Sequence, residues 1–164
     1  MKQLLFAAVF LSVFAGTTRS QLSAWKPAGD RITTVWSANV NPLNPLPEYP
    51  RPQMVRNSWK NLNGLWDYAI TGSESARPSS FDGKILVPFA IESALSGVGK
   101  PVGPDNILWY RTRFTIPKDF RKKTILLHFG AVDWKSEIFV NGVSAGTHQG
   151  GYDPFTFDIT TFVK

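Results

Sequence analysis

From residue 65 onward, hydrophobic and polar positions alternate with period two over several short segments. The alternation is cleanest over 107–116. Leu108, Tyr110, Thr112, Phe114 and Ile116 share one side, while Trp109, Arg111, Arg113 and Thr115 share the other. A pleated strand sends successive side chains to opposite faces, so this pattern predicts a strand with one face toward a core. The same reasoning predicts strands over 65–70, 84–87, 124–129, 136–140, 143–147 and 155–159. Asn141-Gly142 separates two of them, and a tight hairpin turn needs the positive φ values that Asn and Gly accept. No helix longer than about two turns is predicted, with short starts at 90–95 and 161–164. Short strands joined by frequent turns predict an all-β, antiparallel sandwich.

Ahead of these strands the pattern changes twice. Lys2, an apolar run over 4–15 and a small, mostly polar stretch over 16–20 have the layout of a secretory signal peptide, too short to span a membrane. Cleavage is expected near Gln21, giving a periplasmic or secreted product with no membrane attachment. Residues 21–58 carry no sustained period. They include Pro42, Pro45, Pro47, Pro50 and Pro52, which withhold backbone donors and favour extended geometry. They are expected to form an extended lead-in laid over a domain that occupies 59–164.

Composition narrows the function. The chain has no cysteine, which excludes disulfides, thiolate metal sites and lipid attachment through cysteine. Its 12 Phe and 6 Trp suit a β-rich core that must hold without cross-links. Removing residues 1–20 takes away Lys2 and Arg19 and no acid, so the net charge falls from +6 to +4. The remaining cations are scattered apart from a turn at 118–123, which argues against a nucleic-acid partner. His128 and His148 offer no recognisable metal-ligand spacing, and no cofactor is expected.

Several segments in order resemble the N-terminal sugar-binding domain of family 2 glycoside hydrolases, the β-galactosidase, β-glucuronidase and β-mannosidase group. They are Trp59-Lys60-Asn61-Leu62-Asn63-Gly64-Leu65-Trp66, Val87-Pro88-Phe89, Trp109-Tyr110-Arg111-Thr112-Arg113-Phe114 and Leu127-His128-Phe129-Gly130-Ala131-Val132-Asp133. Val140-Asn141-Gly142, Gly150-Gly151-Tyr152-Asp153-Pro154-Phe155 and Asp158-Ile159-Thr160 complete the series. The resemblance runs over roughly residues 50–164 and implies a jelly-roll β-sandwich of the galactose-binding-domain type. The pattern stops where a further strand is expected, so the last strands are expected to be missing.

The family's chemistry is retaining hydrolysis by two glutamates about 5 Å apart. The resemblance places both on a barrel domain, the acid/base after an asparagine. Glu48, Glu74, Glu92 and Glu137 are the only glutamates here, and none follows an asparagine. The chain is therefore expected to be the sugar-binding and scaffold part of an exported hydrolase, with no catalytic residue of its own. Its partners would be a β-glycoside and the barrel domain. A stand-alone carbohydrate-binding module is the alternative, and a scaffold that only docks to a barrel is a third reading.

His148, Gln149, Tyr152 and Asp153 are the candidate sugar contacts, because imidazole, amide, phenol and carboxylate groups suit pyranose hydroxyls. The same residues would equally serve the fold, with the two glycines shaping a turn and Tyr152 and Phe155 plugging the sandwich. Trp66, Trp109 and Trp134 would each stack on a sugar face or fill the core. Arg111 is expected to point inward and to satisfy a carboxylate or carbonyl partner at a domain seam.

Overall fold

The computed structural model describes residues 25–29, 31–48 and 56–163. The expected signal segment and part of the proline-rich stretch lie outside the described residues. Seven strands follow in chain order: β1 (Gly64–Gly72), β2 (Gly83–Val87), β3 (Asn106–Arg111), β4 (Leu126–Phe129), β5 (Lys135–Val140), β6 (Val143–Gln149) and β7 (Phe155–Asp158). All pairings are antiparallel, in sheets ordered β2-β1-β3, β4-β7 and β5-β6.

The first sheet carries the core. Trp66, Tyr68 and Ile70 alternate to one face of β1. There Tyr68, Ile85 and Ile91 are buried, with Val87, Val98 and Leu108 packed around them. Full burial of one such aliphatic or aromatic side chain is worth about 1.5–3 kcal/mol. The intervening Asp67 faces the other way, opposite Lys84 on β2 and Arg111 on β3. Its carboxylate takes both cations, Lys84 at 2.5 Å and Arg111 at 3.0 Å. The Arg111 guanidinium also lies over the Phe81 ring, 3.8 Å from its centroid. The partner of Arg111 is thus a carboxylate, Asp67, but Arg111 lies half-exposed on the solvent side of the sheet and is not turned inward as expected.

The strand over 107–116 ends at Arg111, although the alternation in sequence runs further. Arg111 pairs with Asp67, and the residues of β1 before Asp67 pair only with β2. Beyond Arg111 the pattern has no neighbouring strand to bond to, and Phe114 is left 38% exposed. Alternation gives a chain two faces, but a strand also needs a partner.

The 90–95 helix start becomes a single 3₁₀ turn at Ala94–Ser96, closed by Gly97. The buried Ser96 hydroxyl lies 2.9 Å from the Ile91 carbonyl oxygen and accepts from the Val98 amide at 3.0 Å. This loop receives the lead-in. The Ala28 amide donates to the Ala94 carbonyl at 2.8 Å, the Trp25 indole to Leu95 at 3.2 Å, and the Arg31 guanidinium to Gly99 at 3.0 Å. Further along, the Asn61 and Asn63 side chains reach the carbonyl of the buried Pro45.

The β5–β6 hairpin turns at Asn141 (φ 51°) and Gly142 (φ 88°), as the sequence requires. Its inner face meets the β4–β7 sheet through aromatic rings. Phe155 lies between Phe129, with centroids 4.8 Å apart, and His148, at 4.0 Å, both stacked. The Phe157 ring rests on Gly146. After β7, Asp158 accepts from the Thr160 amide at 2.9 Å and from its hydroxyl, while that hydroxyl accepts the Ile125 amide at 2.8 Å. The Asp-Ile-Thr step is a lock: it fixes the chain end to the start of β4 and leaves Ile159 1% exposed.

Candidate functional site

The turn from β6 to β7 is built on two glycines, and polar side chains converge on both. At Gly150 (φ +139°) a Cβ would stand 3.3 Å from Asp153 Oδ2 and 3.4 Å from His148 Nε2. At Gly151 it would stand 2.6 Å from Asp133 Oδ1, closer than atoms tolerate. The Gly150 amide donates to the Trp134 carbonyl at 2.7 Å, which ties this turn to the chain entering β5. His148 and Asp153 therefore meet at Gly150, and Asp133 abuts the neighbouring Gly151, at positions that only glycine leaves open.

The four predicted contacts separate. His148 and Asp153 come together around Gly150. The His148 ring is held by its stack on Phe155, and its Nε2 is shut from solvent without a hydrogen-bond partner among the described residues. Ser136 faces His148 across the hairpin, and its buried Oγ is likewise unpartnered. Gln149 lies on the opposite face of the hairpin, across from Lys135. Tyr152 does not plug the sandwich: it stands 95% exposed at the tip of the turn, while Phe155 is stacked between Phe129 and His148.

The tryptophans divide in the same way. Trp66 packs on the core and donates to the Leu62 carbonyl at 2.8 Å. Trp109 donates to the Thr71 hydroxyl at 2.9 Å and is half-buried. Only Trp134 of the three is open, at 59% exposure, beside the glycine pair. Exposed aromatic rings next to carboxylates and an imidazole form the usual chemistry for a pyranose, whose C–H groups lie on the ring while its hydroxyls bond to the polar groups. Asp133 is the residue that sequence reasoning passed over. It ends a resembling segment but shows no local pattern, and only the close approach of Gly151 brings it into the site.

His128 is engaged elsewhere. Its Nδ1 lies 2.7 Å from the Thr156 hydroxyl, its ring stacks on Trp59, and burial followed by the nearby Arg56 charge lowers its pKa. The glutamates are exposed and dispersed over the lead-in, the loop after β1, the loop after β2 and β5. Glu137 accepts a hydrogen bond from Ser144 at 2.8 Å.

Comparison with known proteins agrees with this fold. Residues 85–164 match the model for the glycosyl hydrolases family 2, sugar binding domain. The chain is 32% identical over 114 residues to the β-galactosidase BoGH2A of Bacteroides ovatus, covering 70% of this chain and 12% of that protein. Over 58 residues it is 40% identical to a β-galactosidase of Thermoanaerobacter pseudethanolicus, covering 35% of this chain and 8% of that protein. In structure it is similar to a β-glucuronidase from Ruminococcus gnavus, with a TM-score of 0.52 and 26% identity over 67% of this chain and 21% of that one. The fold and the matches define a sugar-binding domain of glycoside-hydrolase type. Residues 85–164 belong to glycosyl hydrolases family 2. The chain spans about a tenth of the length of these two β-galactosidases.

Proposed function

We propose that this chain is the N-terminal carbohydrate-engaging part of an exported, retaining β-glycosidase, and that it meets the sugar at the Gly150-Gly151 turn. The observation that carries this reading is that two open aromatic residues, Trp134 and Tyr152, sit next in sequence to Asp133 and Asp153, whose carboxylates abut Gly151 and Gly150. The relatives named as β-galactosidase or β-glucuronidase support a β-glycoside as the ligand class. Hydrolysis itself falls to glutamates of a barrel domain, since none of the four here stands with a suitable partner. The Lys2 and apolar 4–15 layout supports export to the periplasm or medium.

Two assays test the reading. The 164-residue chain should release no nitrophenol from β-galactoside, β-glucuronide or β-mannoside above background, yet bind a simple methyl β-glycoside. Turnover that survives purification and disappears with Glu137→Gln would move catalysis into this chain. Export is checked by N-terminal sequencing from the native host: a mature start near Gln21 is expected, and an intact Met1 in the cytoplasm contradicts it.

A further inference from the structure

We propose that the corner formed by Asp133-Trp134 and the Gly150–Asp153 turn recognises an uncharged β-pyranoside and discriminates against uronates. This rests on the carbohydrate reading above and adds the charge class of the sugar, which the relatives leave divided between galactosides and glucuronides.

The charges around the glycine floor are one-sided. Asp133 Oδ1 abuts Gly151, and Asp153 Oδ2 abuts Gly150. Lys135 is the only lysine or arginine between residues 124 and 163. It pairs with Gln149, whereas Ser136 pairs with His148, so alternation along β5 turns Lys135 to the face away from His148. Neither carboxylate has a cation in a salt bridge among the described residues. Carboxylates accept from the hydroxyls of a neutral hexose, which are donors. A uronate would bring a third carboxylate to a corner where, among the described residues, neither aspartate is paired with a lysine or arginine.

The other groups fit a sugar of this kind. Trp134 and Tyr152 leave their rings open for the apolar face of the ring. Galactose and glucose both present such a face, so the corner selects by charge and not by the configuration of one hydroxyl.

The test compares methyl β-galactopyranoside and methyl β-glucuronopyranoside on the full chain by calorimetry at low ionic strength. Like charges a few ångströms apart in a partly solvated corner weaken binding about tenfold, so the galactoside should bind at least about tenfold more tightly. The Asp133→Asn, Asp153→Asn double variant should close that gap to within about threefold while keeping its circular dichroism. Trp134→Ala, at an exposed position, should weaken both sugars.

Equal binding of the two sugars, or tighter binding of the glucuronide, overturns the charge inference and leaves the carbohydrate reading standing. A gap that persists in the double variant, or binding indifferent to Trp134→Ala, places recognition elsewhere and overturns the site. Binding of neither sugar defeats the carbohydrate reading and this inference with it.

Discussion

The Phe157 ring lies where a side chain on Gly146 would have to stand, so the contact between the β5–β6 and β4–β7 sheets depends on the absence of one Cβ. Gly146 also has φ +144°, a backbone region that other residues rarely adopt. Gly146→Ala should therefore strain the backbone and overpack the ring at once, at about 2–4 kcal/mol in total. Urea denaturation checks this: a midpoint unchanged from wild type would mean that the two sheets are not joined through this contact.

The ion network on β1 should matter far less. Asp67 holds Lys84 and Arg111, but both cations are about half exposed, at 49% and 47%. Solvent-exposed pairs are worth about 0.2–1 kcal/mol, so Asp67→Asn should cost no more than about 1 kcal/mol. A double-mutant cycle with Arg111→Ala measures the coupling. A value of several kcal/mol would show that Arg111 depends on this carboxylate more than on its seat over Phe81.

Acid should destabilise the fold in two steps. Burial followed by the Arg56 charge lowers the His128 pKa from its ordinary 6.5, so the unfolded chain takes up that proton first. Stability due to His128 therefore falls as pH drops through about 6.5 and levels off below the folded value. At Asp67 burial alone would raise the pKa, but hydrogen bonds and charge from Lys84 and Arg111 outweigh it and hold the carboxyl below 3.8. The Thr160 hydroxyl, then the Thr160 amide, lowers Asp158 from the same starting value. Their contributions are present above about 3.8 and are lost as pH falls through the folded values. Melting temperature against pH should show both declines, and His128→Gln should remove only the upper one. A melting temperature that rises on going from pH 7 to pH 5 contradicts these signs.

Most of the fold was legible in the sequence because each strand carries its own alternation and its own turn. The Asn141-Gly142 hairpin is fixed by two residues, and β1, β2, β5 and β6 depart from expectation only at their ends. The end of β3 was not legible, since it is set by where β1 stops pairing, a fact about another segment. The site was half legible. His148 and Asp153 announce themselves by residue type beside two glycines. Gln149 falls on the far face of the hairpin because alternation places adjacent residues on opposite faces, and Asp133 carries no signal in sequence because its place against Gly151 is a matter of packing between distant stretches. Trp134 and Trp109 share an aromatic and strand-like context in sequence, yet only the first stays open.

The most direct test of the carbohydrate corner is hydrogen–deuterium exchange of the full chain with and without saturating methyl β-galactopyranoside. Peptides spanning 133–134 and 148–153 should gain protection, while those covering Asp67, Lys84 and Arg111 on the far sheet should not change. Identical exchange at 133–134 and 148–153 under conditions where calorimetry reports binding would contradict the account, because the sugar would then sit on some other surface of the domain.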